Sequence, residues 1–315
     1  MRTAFSLEVV DLNHQAPNRN KRESKYFWDE LYGLISAGGF DYIEVPYEAK
    51  WDFGGRSGIP RSLRSLGIKF GSTKGYLEHL NKRGIKGITC IHMDPTLFCS
   101  GPMDMYFGAF GHFAQEAILM AEEAGSPVVS LTATATRFSV KQLLAANGAT
   151  EEDFLKRTKE LFIGLAQEAT KHNVTLCIKN EYWGLLAGEK ILSFVEEVEN
   201  GLLLDVDTAH LQIAGVDVAA FIQKHAHLIG VVHMTDTAYE AKEEDINSVM
   251  PEFPPSGASK VFRDIGDGQL DFAAILKALQ QINYTGEVVY NCKESYDIYR
   301  SILRTRRTIN CMQEV

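Results

Sequence analysis

The stretch Gly201–Asp236, GLLLDVDTAHLQIAGVDVAAFIQKHAHLIGVVHMTD, decides the fold. It holds two short apolar runs, Gly201–Asp207 and Ile229–Asp236, with a helical stretch, Asp217–Ala226, between them. Each run is nearly continuous in apolar residues rather than alternating, as in a parallel strand buried on both faces. Each also breaks into ionisable residues: Asp205, Asp207 and His210 after the first, His233 and Asp236 after the second. Strand, helix, strand, with polar groups at the strands' C-terminal ends, is the repeating unit of an α/β domain.

The unit recurs in both directions. Thr3–Val10, Tyr42–Tyr47, Gly87–Met93, Val128–Thr134, Val174–Glu181 and Gly286–Lys293 read as further strands, which makes eight in all. Helical stretches follow them at Arg22–Ala37, Thr73–Arg83, Phe110–Ala124, Glu151–His172, Glu189–Val198, Phe272–Ile282 and Tyr296–Met312. Eight such repeats predict a single (β/α)8 TIM barrel, and no GxGxxG follows the first strand to favour an open dinucleotide-binding sheet. Such a barrel takes about 250 residues and tolerates insertions, so residues 1–315 are expected to form one domain.

Three long connections, Trp51–Gly71, Asp94–Gly108 and Thr237–Gly268, each follow a strand and so fall on the catalytic face. The second carries Leu97, Phe98, Met103, Met105, Tyr106 and Phe107. It is expected to close over a ligand, to meet a partner subunit or second copy of the chain, or to fold back as extra core.

Composition narrows the function classes. Lys and Arg number 32 against 41 Asp and Glu, a net charge of −9, which disfavours a nucleic-acid partner. The five cysteines form no CxxC pair, and three of them (Cys90, Cys177, Cys292) sit inside apolar runs as small core residues. With no leader-like or membrane-length apolar stretch either, a cytoplasmic protein without a membrane partner is expected.

Polar and ionisable residues collect at the strand ends: Glu44 and Glu48, His92 and Asp94, Lys179 and Glu181, Asp207 and His210, His233, and Asn291, Lys293 and Glu294. In a barrel these positions converge on one mouth. Asp207 and His210, with His233 on the next strand, suit a divalent metal, and a carboxylate–imidazole–water shell suits Mn2+ or Mg2+. The alternative is that Asp207 and His210 cap the turn and helix that follow. His92, Trp183 and Arg263 are candidate substrate contacts; a satisfied histidine, a packed indole and a solvated arginine are the competing readings.

The quoted stretch resembles the "lDtgH…aG.d…i…hvHlkD" segment of the xylose-isomerase-like barrel superfamily. GGFDYIEV (38–45) resembles that superfamily's second strand, and IGDGQLDFAAILKALQQINYTGEVVY (265–290) its closing run. The resemblance implies a divalent cation held by Glu, Asp, His and Glu from the ends of strands five to eight. It places Asp207 and His233 in the middle two roles, with Glu181 the third ligand. Family fifth strands often read "v.l.lEnh", and a gapless overlay puts Lys179 at that glutamate; on the eighth strand Asn291 stands where a second glutamate is usual. An ammonium repels a cation and can stand in for its charge.

The resemblance implies a carbohydrate isomerase, epimerase or lyase that abstracts a proton alpha to a carbonyl of a sugar or keto-sugar. Loss of a symmetric pair of glutamates tilts this toward a one-base elimination, with His210, Glu294 and Lys179 catalytic and Asn291 contacting substrate. A metal-free auxiliary barrel and an endonuclease-IV-like repair enzyme are the alternative readings.

Overall fold

The alternating apolar runs and helices close into a ring. A computed structural model describes residues 1–10, 25–49, 59–198, 201–254, 261–293, 295 and 297–313. Its parallel strands are β1 (Arg2–Ser6), β2 (Tyr42–Pro46), β3 (Gly87–Met93), β4 (Val128–Thr132), β5 (Thr175–Lys179), β6 (Leu203–Asp207) and β7 (Ile229–Thr237). A two-residue strand, β8 (Phe262–Arg263), pairs antiparallel with the end of β7, and β9 (Glu287–Asn291) is parallel again. Each of the first seven strands pairs with the next, β7 pairs with β9, and β9 returns to β1. The result is an eight-stranded parallel barrel with its helices outside, as the sequence implied.

Side-chain parity builds the interior in layers, because residues two apart on a strand face the same way. Ala4, Cys90, Val128, Cys177, Val231 and Val289 form a small apolar plug inside the barrel. The main core packs between strands and helices. Two residues beyond the plug, on the same inward parity, stand Ser6, His92, Ser130, Lys179, His233 and Asn291. Sequence alone could not say which of two alternating sets points inward; the small side chains of the plug settle it.

The polar layer is buried, and around His233 it is internally paired. His233 Nδ1 lies 2.6 Å from Asp205 Oδ1 and its Nε2 lies 2.5 Å from Glu44 Oε2. Ser6 Oγ donates to Glu44 at 2.6 Å, and Ser130 Oγ donates to Asp205 Oδ2. Burial opposes a charge on the ring, yet Asp205 and Glu44 outweigh it and hold His233 well above its ordinary pKa. Burial likewise disfavours the Glu44 carboxylate, and His233 reverses that and lowers its pKa.

Several boundaries differ from the sequence reading. β1 stops at Ser6 and turns into a one-turn helix, Leu7–Val9, with Ser6 as its cap. The helix expected from Phe110 begins at Met103, directly after Pro102. Tyr106, Phe107 and Phe110 are therefore core residues, the first two against Phe154 with ring centroids 5.5 and 5.3 Å apart. The aromatic connection is thus mostly extra core, and only Leu97 and Met105 of its large apolar residues are exposed. In the Thr237–Gly268 connection Asp236 organises the turn: its Oδ2 accepts the Gly266 and Gly268 N–H groups, both at 2.9 Å. A Cβ on Gly268 would lie 2.1 Å from Asp236 Oδ1, so the carboxylate requires glycine there. Parts of the first and third connections (51–58 and 255–260) lie outside the described residues.

Replacing His233 by Gln strands two buried carboxylates and is expected to lower unfolding free energy by about 3–5 kcal/mol near pH 6. A base raised in the folded state stabilises fully below its unfolded pKa of about 6.5 and loses that stabilisation as pH rises. Urea titrations from pH 5 to 9 should show the gap between the two proteins shrinking above that value; equal stability at pH 6 would contradict the pairing.

Candidate active site

Above the buried layer the strand ends form a charged mouth. Lys179, the last residue of β5, places its Nζ 3.3 Å from Asp207 Oδ2 at the end of β6, with both side chains buried. Thr235 Oγ1 donates to the same oxygen at 3.0 Å. Asp207 Oδ1 accepts the N–H groups of Ala209 and His210 at 3.1 and 3.3 Å and so caps the helix Thr208–Ile213. The capping reading of Asp207 is therefore correct, and the same carboxylate also neutralises an ammonium.

That cap fixes His210. Its Nδ1 accepts the Tyr182 N–H at 3.1 Å, and its Nε2 lies 2.7 Å from Glu181 Oε2. Burial lowers the imidazole's affinity for a proton, while Glu181 and Asp207 raise it further than burial lowers it. The backbone donor at Nδ1 still opposes a proton there, so we read the ring as neutral with its proton on Nε2. Burial disfavours the Glu181 carboxylate, but His210 and Lys179 reverse this and keep it ionised. Glu181 Oε1 accepts from Thr132 at 3.2 Å, whereas its buried Oε2 lacks a well-aligned hydrogen-bond donor.

A second ammonium, Lys293, stands just beyond the end of β9. It lies 2.7 Å from Glu252 Oε2, and Trp183 Nε1 donates to Glu252 Oε1 at 3.2 Å. Burial would lower both lysines. Asp207, Glu8 and Glu181 hold Lys179 well above its ordinary pKa, and Glu252, Glu8 and Asp94 do the same for Lys293. Glu8 also accepts from Asn291 Nδ2 at 2.6 Å, leaving the buried Asn291 Oδ1 without a donor. Beside this cluster opens a cavity of about 310 Å³ whose lining includes Glu8, His92, Asp94 and Lys293, with Met93 and Phe98 as apolar wall.

Glu181, Asp207 and His233, expected to share a metal, are not together in one close group of ligand-type side chains among the described residues. Close groups of ligand-type side chains among the described residues are Glu44, Cys90 and His233, and Glu181, His210 and Glu252. In the first, both His233 nitrogens are engaged by carboxylates, and burial pushes the Cys90 thiol well up. In the second, His210 Nε2 carries its proton, so the donors suited to a cation are the oxygens of Glu181 and Glu252. Asp207 belongs to neither group.

Of the substrate candidates, His92 lines the cavity, Trp183 is packed against the mouth through its bond to Glu252, and Asn291 faces Glu8. Arg263 sits on β8 opposite Asp236 in the strand register. Glu294 lies outside the described residues. Glu8 carries no signal in the sequence, because Thr3–Val10 reads as one strand, and neither does Glu252, because nothing local marks it within a long connection.

A closed parallel barrel with acids, imidazoles and ammoniums at its strand ends defines an α/β-barrel protein with a site of the enzyme kind. Residues 33–314 match the model of the xylose isomerase-like TIM barrel, and the chain belongs to that family. It is 29% identical over 110 residues to an inosose dehydratase from Clostridium botulinum, a stretch covering 35% of this chain and 36% of that protein. The chain thus aligns with about a third of that relative's length. Among solved structures it is similar to an L-ribulose 3-epimerase, with TM-score 0.68 and 17% identity over 99% of this chain and 94% of that one. It is also similar to the IOLI protein with a binding zinc atom, with TM-score 0.66 and 15% identity over 99% and 98% of the two chains. No helix of the described residues is long and apolar enough to cross a membrane.

Removing one member of the Lys179–Asp207 pair leaves a buried charge unpaired. Asp207→Asn and Lys179→Met are each expected to cost about 3–5 kcal/mol of stability, and the double variant to recover much of that. Additive losses in a double-mutant cycle would refute the pairing.

Proposed function

We propose that the protein is a carbohydrate lyase or isomerase that removes the proton alpha to a carbonyl of a sugar or keto-sugar. The observation that carries this reading is the half-buried ammonium of Lys293 on a cavity also lined by Glu8 and His92, with the buried ammonium of Lys179 held nearby by Asp207. Proton removal alpha to a carbonyl develops negative charge on oxygen, and a fixed positive group in a dry site lowers that barrier. The unsatisfied acceptor Asn291 Oδ1 suits a ligand rich in hydroxyl donors. The alignment with inosose dehydratase favours expulsion of a β-hydroxyl after proton removal.

Lys179 holds the developing oxyanion. His210, with a proton on Nε2, is a donor that orients Glu181 and substrate. A divalent cation, Mn2+ or Mg2+, would be held by the oxygens of Glu181 and Glu252, a donor set that suits a hard ion. When bound it supplies Lewis-acid polarisation of the carbonyl. Trp183 holds Glu252 for this purpose, and Asn291 meets a substrate hydroxyl. The small-molecule substrate is the only partner this reading requires.

Candidate keto-sugars and inososes incubated with the protein in D2O should exchange the proton alpha to the carbonyl, as read by proton NMR. Lys179→Met should slow exchange by about 10²–10³-fold. Purified protein should carry Mn or Mg, and Glu252→Gln should lower that content. Absence of exchange across the series would defeat the reaction assignment; full exchange by chelated, metal-free protein would defeat the metal part alone.

A further inference from the structure

Two carboxylates on the cavity each have one oxygen engaged and the other open. Glu8, in the one-turn helix after β1, accepts Asn291 Nδ2 at 2.6 Å on its Oε2. Its Oε1 takes no hydrogen bond among the described residues, and His92 Nε2 stands 4.0 Å from it. Asp94, just past β3, accepts the Thr96 N–H at 2.7 Å on its Oδ1 and so caps the short helix Pro95–Phe98. Its Oδ2 likewise takes no hydrogen bond among the described residues. Both residues line the same cavity, and so does Lys293. The other ionisable groups of that lining are already engaged. Arg61 binds Glu48 and also holds the Leu7 carbonyl. His92 lies between the hydroxyls of Ser130 and Thr132, 3.4 Å from one ring nitrogen each, and both hydroxyls give their protons to carboxylates. Both therefore meet the ring as acceptors, and neither nitrogen is left as an open base.

The charges around them separate the two acids. Burial disfavours both carboxylates. At Glu8 the ammoniums of Lys179 and Lys293, with His92 and His233 beyond them, outweigh burial and hold the carboxyl well below its ordinary range. At Asp94 burial wins: Lys293 and the Thr96 N–H oppose it, Glu181 reinforces it, and the carboxyl is raised. Cys99 and Tyr106 also face Asp94, and burial raises both so that they stay uncharged. Of the two acids on this cavity, Glu8 is the one to be ionised while Asp94 still holds a proton.

We propose that Glu8 and Asp94 are the proton-transfer residues of this site, Glu8 the base that takes the proton from carbon and Asp94 the acid that protonates the departing hydroxyl. This rests on the proton-abstraction reading above and assigns the groups that carry it out. The carbon–hydrogen bond alpha to the carbonyl breaks, its proton goes to Glu8 Oε1, and its electron pair forms an enolate beside the lysine ammonium. The enolate then re-forms the carbonyl and a carbon–carbon double bond as the β carbon–oxygen bond breaks. The hydroxyl takes the proton of Asp94 Oδ2 and leaves as water. Loss of the Glu8 proton to solvent and uptake of one by Asp94 reset the site.

Two measurements decide this separately. Carbon-13 NMR titration of protein labelled at the side-chain carboxyls, assigned through Glu8→Gln and Asp94→Asn, should find Glu8 ionised at pH values where Asp94 is protonated. The opposite order would overturn the proposal without reference to any substrate. In the D2O assay Glu8→Gln should slow exchange alpha to the carbonyl by about 10²–10⁴-fold with KM little changed. Asp94→Asn should keep that exchange and slow elimination over the same range. Wild-type elimination, unlike exchange, should fall as pH rises through the Asp94 pKa, because the acid form is the one that acts. Full exchange by folded Glu8→Gln, or elimination at the wild-type rate by Asp94→Asn, would overturn it, as would a wild type that exchanges and never eliminates. A wild type with the expected titration order that exchanges no candidate substrate would instead count against the lyase or isomerase reading.

Discussion

The carboxylate of Asp207 ties together the parts of the mouth that have to keep their places. One oxygen meets Lys179 from β5 and Thr235 from β7; the other caps the helix that carries His210. A single buried anion thus sets the charge state of an ammonium, the start of a helix and, through that helix, the position of an imidazole. A buried charge is tolerated only when paired and hydrogen-bonded, and here every lone pair has a named partner. The arrangement leaves Asp207 little freedom to serve a metal as well.

Depth in the barrel sorts the remaining polar residues by role. The layer next to the apolar plug, with Glu44, Asp205 and His233, is sealed from solvent and satisfied internally. These three groups face one another, whereas His92 of the same layer lines the cavity. The next layer, with Glu181, His210, Lys293 and Glu8, reaches the cavity through Glu8 and Lys293. Fixed dipoles below and reactive groups above is the preorganisation that electrostatic catalysis requires.

Much of the architecture was legible because parallel strands buried on both faces leave near-continuous apolar runs, and LLLDVD and IGVVHMTD show this clearly. The strand-end positions of Lys179, Asp207, His210 and Asn291 followed from the same runs. Other features lay outside what local pattern records. His233 reads from its segment as a ligand at the mouth, but parity places it two residues above Val231 and deep between two acids. Ser130 and Thr132 look like ordinary strand residues, and their importance comes only from neighbours: His92 on β3, Asp205 on β6 and Glu181 just past β5. Glu252 reaches the mouth from a long connection whose path no periodicity describes. Met103–Phe110 looked like an exposed aromatic loop because Pro102 had not been weighed as the helix start.

The account turns on positive charge from this chain's own lysines meeting an oxyanion at the strand ends. A crystal structure with a hydroxamate that mimics the enediolate of a keto-sugar tests this most directly. The account predicts the hydroxamate oxygen within hydrogen-bond distance of Lys179 Nζ and the carbon chain in the cavity beside His92. A hydroxamate bound in the cavity with its oxygens turned away from both lysines would contradict it.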